Sequence, residues 1–591
     1  MAGPNAEYKS IQEVFESARF VVPAYQRSYA WGKKQWEDLW SDLISLPERG
    51  DGDDTEHYLG TIVLLRKGRQ ITSRGRVEPV FEVVDGQQRL VSLLLLAAAF
   101  ARATEDSDIS EALWEDFVFG KEQTAKITLE DPDDNAFLNK MLAVWRDGKD
   151  LSGIASQVGT TGQKQLYEAA QMFYDKARVW MDGRSEEEVT GLLASLRGRF
   201  KALRFLVDDF TMAVRTFHSV NDRGKPLTLL EKTKSLLMLY ASQNLSGEER
   251  ERCLREIRDD FSAAFKAYDR AIELAKDLGV SYLYDPRYRF NEDELLRYLY
   301  HLTVRDYNME YDYNPSSEAI FERFLKRVCK QASGEKTRAL LTKISSDLKR
   351  VSQALRSLLE RAKRDSAMKE FLAFQSPDAA VYPLIVGLEA EQKLSDAVLK
   401  VVRVLDLRVY QVRGTNPRAT LYRETISHLK HLSEEQIIKN IRGFVEYYGS
   451  DDQIGYLLAG KVFRQGFCKY VLWRFLTKDH PNLDWSLYRR CEVEHILSRT
   501  PSLDPTTYGF DSGEEYEEKL HTFGNLTVLE RKLNELTRNY SPAEKTMFYR
   551  QSALEHNRLL AERIAQKGFR KENIETRTRE IVDFFKREWQ L

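Results

Sequence analysis

Two short apolar runs and a charged stretch, close together near the C-terminal end of the chain, constrain its fold most. The first run is residues 492–497, EVEHIL, and the second is residues 524–529, GNLTVL. Runs of this length and composition are typical of β-strands. The charged stretch that contains Asn534 is typical of the start of a helix. The sequence therefore predicts two strands followed by a helix.

The polar residues within this pattern suit phosphodiester hydrolysis. His495 can take a proton from water near neutral pH. Glu494 and Asn534 can offer oxygen atoms to a hard cation such as Mg²⁺ or Mn²⁺, which offsets the charge that builds on phosphate. Asn525 is expected to pin the loop that carries the histidine, and Lys545 to contact the scissile phosphate. The layout resembles a metal nuclease of the HNH (ββα-metal) type.

The competing interpretation is that the histidine has only a structural role. A single histidine on an apolar run is more often structural than catalytic. The combination of Glu494, His495, Asn525 and Asn534 favours the nuclease over that alternative. His521 lies near Asn525 and is a rival metal ligand, but the pattern assigns it to a loop.

Length and composition set the broad class. A chain of 591 residues is too long for one core, so several domains are expected. A net charge of −2 means that any nucleic-acid surface is a local patch. The four cysteines have no CxxC spacing, which argues against a zinc site or a disulfide framework and suits a reducing cytoplasm. No signal peptide or membrane-length apolar run is evident, so no membrane association is expected.

A second polar group lies where an N-terminal strand, residues 80–84, gives way to a Leu/Ala-rich helix, residues 87–102. Such a junction presents backbone N–H groups to an anion. In the junction pentapeptide, an acidic residue can hold a metal, two glutamines can donate to phosphate or base, and an arginine can pair with phosphate. A tight turn with a surface arginine explains the same residues equally well. The pentapeptide consists of Asp85, Gly86, Gln87, Gln88 and Arg89.

Two further clusters could face the same ligand. An aromatic and guanidinium cluster can stack on a base or wall a small pocket; its alternative is the edge of an aromatic core, to which Trp36 and Trp40 are assigned. A third group precedes a predicted helix that starts at a Thr228–Glu231 capping box and could face phosphate. The aromatic cluster comprises Pro23, Tyr25, Gln26, Arg27, Tyr29 and Trp31, and the third group comprises Asn221, Arg223 and Lys225.

The remaining chain is predicted to be mainly helical. Residues 247–364 and 396–476 carry apolar residues every three or four positions, as in scaffold helices. Residues 455–461, GYLLAGK, fit most of a phosphate-binding Walker A loop. Val462 replaces the Ser or Thr that would bind Mg²⁺, and the loop is apolar, so this motif is set aside.

Taken together, the motifs resemble the GmrSD family of modification-dependent (type IV) restriction systems. The N-terminal part is similar to the GmrS-type domain, and the C-terminal part to the GmrD-type HNH domain. The resemblance in the N-terminal part rests on residues 23–31, 58–60, 85–89 and 221–227, together with Phe217. In the C-terminal part it rests on residues 494–497 and 524–526, Asn534 and Lys545.

The resemblance implies a ParB/sulfiredoxin-like α/β domain that binds and hydrolyses GTP or ATP through residues 85–89. It also implies that modified DNA is sensed near Tyr25, Gln26 and Arg27. Two departures stand out. Ser498 takes the place of a frequent proline, and residues 230–232, LEK, replace the usual acidic pattern, so no acidic site is expected there.

The sequence thus predicts an α+β multidomain chain. Its expected parts are a GmrS-like domain (1–240), a helical scaffold (241–395) and a GmrD-like HNH nuclease within a largely helical domain (396–591). The expected function is antiphage DNA cleavage in the cytoplasm, gated by nucleoside triphosphate and by the modification of phage or other DNA. Two alternatives stay open: a DNA-modification sensor with a degenerate nuclease, and an RNA-cutting effector. The nature of the modification, the choice of GTP or ATP, and monomer or homodimer are undetermined.

Overall fold

The described part of the chain forms two compact units. The computed structural model describes residues 5–16, 18–23, 28–46, 56–71, 77–119, 124–208, 228–310, 312, 315–331, 336–414, 418–479, 485–500 and 504–590. The N-terminal unit consists of Met1–Glu273, Glu292–Leu296 and Ser316–Gln353. The C-terminal unit consists of Leu274–Asn291, Arg297–Pro315 and Ala354–Leu591. The three-part division expected from the sequence stays a prediction.

A six-stranded mixed sheet organises the N-terminal unit. Its strands are β1 (Asn5–Ser10), β2 (Arg19–Val22), β3 (His57–Ile71), β4 (Val77–Asp85), β5 (Ile127–Leu129) and β6 (Phe200–Val207). Their order is β1-β6-β3-β4-β2-β5. β2 is parallel to β4 and β5, and β3 is parallel to β6, whereas the β1–β6 and β3–β4 pairs are antiparallel. The carboxyl ends of β4, β2 and β5 therefore meet at one edge.

The helix that follows β4 lies at the centre of this unit's core. It spans Gln87–Ala103 and is apolar on every side, which is the pattern of a fully enclosed helix. Trp40 stacks on Phe100 with ring centroids 5.6 Å apart. Trp36 and Trp40 are both buried, so the assignment of these two residues to the core is confirmed.

Most of the chain is helical. Up to residue 278 the α-helices are Ile11–Phe15, Lys33–Ile44, Gln87–Ala103, Ser107–Leu113, Pro132–Arg146, Thr161–Met181, Glu186–Gly198, Leu229–Asn244 and Gly247–Leu278. Those that follow are Glu294–Thr303, Ser317–Ala319, Lys326–Lys330, Lys336–Arg364, Ser366–Glu370, Tyr382–Ala390, Asp396–Leu405, Arg418–Glu424, Glu434–Tyr448, Asp451–Ala459, Cys468–Leu476, Trp485–Arg490, Gly513–Leu520, Arg531–Thr537, Pro542–Tyr549, Glu555–Lys567 and Lys571–Glu588.

Shorter turns of helix connect these elements. The π-helical segments are Trp114–Val118, Ile320–Leu325, Phe371–Gln375 and Asp406–Val412. The 3₁₀ segments are Leu151–Gln157, Ser281–Leu283, Pro286–Tyr288, Val304–Tyr307, Ala379–Val381, Ile426–His428, Pro505–Tyr508 and Phe523–Asn525. The predicted capping box at Thr228 is confirmed: its side chain accepts from the Glu231 N–H, and the Glu231 side chain accepts from the Thr228 N–H.

A two-stranded ribbon and the helices around it carry the C-terminal site. β7 (Cys491–His495) pairs antiparallel with β8 (Leu526–Glu530). A ribbon of two strands is marginal by itself, so it depends on packing against neighbouring elements. Ile496 and Leu529 belong to a buried cluster that also contains Tyr549 and Ile574, which come from two of the surrounding helices.

The expected fold class is confirmed at the coarse level. The chain is a mixed α+β, mostly helical protein with more than one compact unit. The ParB-like and HNH assignments stay predictions. Within the described residues, no helix is long and apolar enough to cross a membrane.

Candidate functional site

The predicted order of strand, strand and helix is present in the C-terminal unit. His495 ends β7, where it lies opposite Leu526, the first residue of β8. The helix Arg531–Thr537 follows β8 directly, with Glu530 as its N-cap. We call this the site helix. The sequence pattern therefore predicted these local elements correctly.

Asn525 pins the segment that leaves His495. Its side chain is fully buried. Its Oδ1 accepts from the Leu497 N–H (2.7 Å), and its Nδ2 donates to the carbonyls of Leu497 (3.1 Å) and Leu520 (2.9 Å). Its own carbonyl accepts from the Ile496 N–H (2.8 Å). Asn525 thus ties the segment that leaves His495 to the end of the helix Gly513–Leu520, and its role in the reaction stays a prediction.

Gly524 lets the backbone directly before Asn525 pack closely against the helix Lys571–Glu588. A Cβ atom there would lie 1.8 Å from the Ile574 carbonyl oxygen, inside the helix Lys571–Glu588. The Gly524 N–H donates to Thr578 Oγ1 (3.0 Å), and Arg577 donates to the Gly524 carbonyl (2.9 Å). Only a glycine permits so close an approach of two backbones.

His495, which is buried, forms a pair with the half-buried His521. The Nε2 atom of His495 lies 3.0 Å from Nδ1 of His521, and which ring donates depends on the tautomers. The Phe463 ring lies 4.2 Å from the His495 ring and stacks on His521. Burial, reinforced by His521, lowers the pKa of His495 to about 3. The imidazole is therefore neutral at physiological pH, which is the form that accepts a proton.

His521 was not predicted from the sequence to contact His495. It follows the helix Gly513–Leu520 as its C-cap and was assigned to a loop. The loop assignment describes its backbone, but the fold brings its ring onto His495. Its closeness to Asn525 in the sequence was the available signal.

Glu494 and Lys545 form a buried ion pair beneath the histidine. Lys545 Nζ lies 2.7 Å from Glu494 Oε1 and 2.6 Å from the His495 carbonyl. Burial raises the pKa of Glu494 and lowers that of Lys545, while the attraction between the two charges opposes both shifts. The Lys545 side chain is only 1% exposed, because the helix Pro542–Tyr549 directs it inward. In this structure Lys545 is engaged by Glu494 and the His495 carbonyl, and the expected contact with the scissile phosphate stays a prediction.

Asn534 lies on the site helix and is half-buried. Its carbonyl accepts from Thr537 Oγ1 (2.6 Å), and the Thr537 hydroxyl also hydrogen-bonds the Glu494 carboxylate. Residues three apart share one face of a helix, so Asn534 is on the face that meets Glu494. Among the described residues, no group of three or more His, Cys, Asp or Glu side chains could hold a metal. The expected metal pair of Glu494 and Asn534 stays a prediction.

In the N-terminal unit, the pentapeptide Asp85–Arg89 lies at the carboxyl end of β4. Gly86 adopts a left-handed conformation (φ 94°) and caps the helix Gln87–Ala103. A Cβ atom on Gly86 would lie 3.1 Å from the Ile62 side chain, so both space and backbone conformation favour glycine. The predicted strand, turn and helix are all observed.

Two of these side chains hold the local chain together. Gln88 Oε1 accepts from the N–H groups of Ala30 (2.8 Å) and Trp31 (3.1 Å). Arg89 donates to the Thr61 carbonyl (3.0 Å), and its guanidinium lies against Gly60 (φ 110°). The separate motifs at residues 58–60 and 85–89 therefore contact each other directly.

Charges converge at Asp85. Burial raises the pKa of Asp85, and the nearby Glu231 adds to this, whereas Arg89 and the Gly86 N–H oppose it. Glu231 is buried in the capping box at the start of the helix Leu229–Asn244. No acidic site was expected at Glu231, yet its charge acts on Asp85.

A narrow pocket opens at the edge where β2 and β5 end. Among its lining residues are Pro23, Tyr29, Gln87 and Gln88, four of the residues singled out from the sequence. The Tyr29 hydroxyl hydrogen-bonds Ser92 (2.6 Å) and accepts from Trp36 Nε1 (2.9 Å), so this end of Tyr29 serves the core. Parallel sheets commonly bind ligands at this edge.

The other N-terminal residues fall into two groups. Trp31 is half-buried and packs against the core. The remaining predicted residues lie outside the described part of the chain: Tyr25, Gln26, Arg27, Asn221, Arg223 and Lys225. Their roles in sensing or nucleotide binding stay predictions.

Two family models match the chain. The model of the N-terminal domain of GmrSD restriction endonucleases matches residues 11–238, and that of their C-terminal domain matches residues 433–584. Together these matches cover more than half of the sequence and include both candidate sites. A comparison with curated proteins finds no match. The chain therefore belongs to the GmrSD family of restriction endonucleases, and this membership implies that it is a nuclease that acts on DNA.

Proposed function

We propose that the chain cleaves DNA by metal-dependent hydrolysis at an HNH-type centre built around His495. The geometry at the end of β7 carries this proposal: Glu494 and His495 adjoin there, and the Nε2 atom of His495 lies 3.0 Å from Nδ1 of His521. His495 removes a proton from the attacking water. His521 and Asn525 hold the ring and the strand in place, so the geometry is fixed before DNA binds.

The oxygen atoms near Glu494 suit a hard divalent cation. Mg²⁺ and Mn²⁺ prefer oxygen ligands and keep several waters, so one carboxylate and one amide are a sufficient protein contribution. Glu494 and Asn534 would hold the ion. When bound, it offsets the charge that develops on the phosphate. Burial raises the pKa of Glu494, and the Lys545 ammonium opposes this by favouring the carboxylate form, so Lys545 acts through Glu494.

The N-terminal unit is proposed to gate cleavage through GTP or ATP. The Gly86 turn at the start of a long helix offers N–H groups to phosphate. Asp85 lies beside this turn with Arg89 as its nearest opposite charge, so a carboxyl for a metal ion and a guanidinium for phosphate are both at hand. In this proposal the helical regions pass the effect of bound nucleotide to the nuclease site. This control would keep an antiphage enzyme in the cytoplasm from cutting host DNA.

Modified DNA is proposed to be sensed near the pocket at Pro23 and Tyr29. Gln88 fixes the backbone of the same loop at Ala30 and Trp31. Any change at residues 85–89 caused by nucleotide would therefore reach this loop through one side chain. This arrangement supports a link between nucleotide and modification state.

The experiment compares cleavage of plain, glucosyl-hydroxymethylcytosine and phosphorothioate duplexes, each with Mg²⁺ or Mn²⁺ and with GTP, ATP or no nucleotide. Wild type is run beside Asp85→Ala and the matched control Asp175→Ala, which removes an exposed carboxylate in the same unit. We expect cleavage to depend on modification and nucleotide, and Asp85→Ala alone to remove the nucleotide dependence. Equal cleavage of all duplexes, regardless of nucleotide, would refute gating.

A sensor with a degenerate nuclease is the second candidate. It is favoured by the ion pair between Lys545 Nζ and Glu494 Oε1 (2.7 Å), which engages the carboxylate that would hold the metal. A calorimetric titration with Mn²⁺ separates the two candidates. Binding that Glu494→Gln abolishes supports the nuclease, whereas no binding to the wild type supports the sensor.

A further inference from the structure

The segment after the helix Asp451–Ala459 lies against the histidine pair. It contains the residues that resemble part of a Walker A loop, but residues 455–459 are helical and form no phosphate loop. The N–H groups of Val462 and Phe463 both approach the His521 carbonyl, at 2.9 and 3.3 Å. The Phe463 ring contacts the rings of both histidines. Residues 461–464 are thus fixed beside His495 and His521 by backbone and side-chain contacts.

Two exposed cations flank the anchored Phe463. Lys461 and Arg464 are both exposed, while Val462 between them is buried. The buried residues hold the segment, and the charged ones face solvent. A third exposed cation, Arg499, lies four residues after His495. The three cations come from two segments of the chain, residues 461–464 and the residues after His495, which meet at the histidine pair.

The segment carrying Arg499 is also anchored. Ser498, directly before it, is buried. The Ser498 carbonyl accepts from the Tyr516 hydroxyl (2.6 Å), and its hydroxyl donates to Asn539 Oδ1 (3.0 Å). The backbone at Arg499 is therefore fixed, while its side chain extends into solvent.

These cations reach the histidines electrostatically. Lys461, Arg499 and Arg464 lower the pKa of His521, although burial is the larger cause. Arg499 also lowers the pKa of His495. Glu517, which is exposed, is the neighbouring charge of opposite sign. Within the described part of the chain, none of the three cations forms an ion pair with a carboxylate. Their charge is available to a ligand.

We propose that Lys461, Arg464 and Arg499 form a basic rim that binds the phosphate backbone of duplex DNA beside the catalytic histidine. Because the whole chain carries a net charge of −2, attraction for DNA has to come from such a local patch. Contacts to phosphate position the duplex and carry no sequence information. The rim therefore sets where the scissile phosphate lies and leaves discrimination between DNAs to other parts of the protein. This inference rests on the proposed function.

Binding to DNA, separated from cleavage, tests the rim. The full chain carrying His495→Ala is titrated onto a fluorescent duplex at salt concentrations from about 50 to about 200 mM. Adding Lys461→Ala and Arg464→Ala is expected to weaken binding roughly tenfold and to lower the slope of log affinity against log salt by about 2. Arg499→Ala alone is expected to lower the slope by about 1.

A matched pair of substitutions controls for net charge. Lys439→Ala with Arg442→Ala removes one lysine and one arginine that are exposed on the helix Glu434–Tyr448, which packs on the helix Asp396–Leu405. These changes are expected to leave the slope unchanged. An unchanged slope for the rim variants, or an equal loss in the control pair, would overturn the rim. A parent protein that binds no DNA at all would overturn the proposed function, and the rim with it.

Discussion

The two candidate sites differ in how their residues are held. In the C-terminal unit, His495, Glu494 and Asn525 lie together and are fixed by hydrogen bonds, of which those of Asn525 and Glu494 are buried. In the N-terminal unit, Gln88 and Arg89 bond to the backbone of the chain itself and shape a pocket at the edge of the sheet. A hydrolytic centre needs fixed geometry before substrate binds, whereas a regulated pocket can be completed by loops. The difference is the one expected if, as proposed, the C-terminal site cleaves DNA and the N-terminal pocket is regulatory.

The largest effect is expected at Gly524. A Cβ atom there would lie 1.8 Å from a backbone carbonyl in the helix Lys571–Glu588, so Gly524→Ala has to displace that helix. We expect a loss of about 4 kcal/mol or more in the unfolding free energy of the C-terminal unit. Urea unfolding followed by hydrogen exchange at β8 measures it.

Gly513→Ala is the matched control for that change. Gly513 begins the helix Gly513–Leu520, and a Cβ atom there would meet nothing within 4 Å. Its substitution should be neutral or slightly stabilising. Equal stability of the two variants would mean that β8 is not held by the helix Lys571–Glu588.

Asn525→Ala is expected to have the next largest effect. It leaves the Leu497 N–H and the carbonyls of Leu497 and Leu520 unpaired in a buried place. We expect a loss of about 3–5 kcal/mol, together with loss of cleavage. Asn573→Ala, which removes an exposed cap bond in the same unit, should cost about 1 kcal/mol. If cleavage survives in Asn525→Ala, the strand that carries His495 does not need this pin.

The pH dependence of stability should come in part from Asp406, a fully buried carboxyl in the C-terminal unit. Burial raises its pKa to about 7, against the hydrogen bonds that it accepts from Asp378, Gln375 and Gln411. The folded state then holds the proton more tightly than the unfolded state, so stability falls as the pH rises from about 4 to about 7. The expected decrease is about 1–3 kcal/mol.

Asp406→Asn tests this dependence, because it keeps a neutral group of the same shape. The variant should have a flatter pH profile between pH 4 and 7 by unfolding in urea. A profile as steep as that of the wild type would assign the pH dependence to other groups.

Gln88→Ala is expected to have the smallest effect, and it tests how firmly the N-terminal pocket is held. Two N–H groups, those of Ala30 and Trp31, lose their acceptor, but this loop is only partly buried and water can replace the amide. We expect a loss of about 1–2 kcal/mol, with cleavage itself retained and its nucleotide dependence altered. Hydrogen exchange of residues 28–32 reports the loosened loop. Unchanged exchange there would remove the proposed link between pocket and loop.

Local patterns predicted most of the elements that carry these sites. Short apolar runs located β4, β7 and β8, and the capping box located the helix at Thr228, because these signals act between neighbours in sequence. Asn525 was expected to pin the loop that carries His495. Of its partners, Leu520 is near in sequence, whereas Leu497 is 28 residues away.

Long-range placement could not be predicted in the same way. The sequence does not show which face of the helix Pro542–Tyr549 points inward, so Lys545 was expected at the phosphate and not beneath Glu494. It also does not show that the segment at Phe463 and the end of the helix at His521 meet the histidine strand. Such contacts depend on packing between segments that are distant in sequence, and the spacing of apolar residues does not reveal this packing.

The central claim is that His495 performs the cleavage, and a pair of histidine variants tests it most directly. His556 is the matched control, because burial also lowers its pKa to about 3 and it lies in the same unit, against Phe475. Single-turnover cleavage of the preferred duplex with Mg²⁺ is measured for wild type, His495→Ala and His556→Ala. We predict a loss of about 10²–10⁴-fold for His495→Ala and a change within a few-fold for His556→Ala. Undiminished cleavage by His495→Ala would contradict the account.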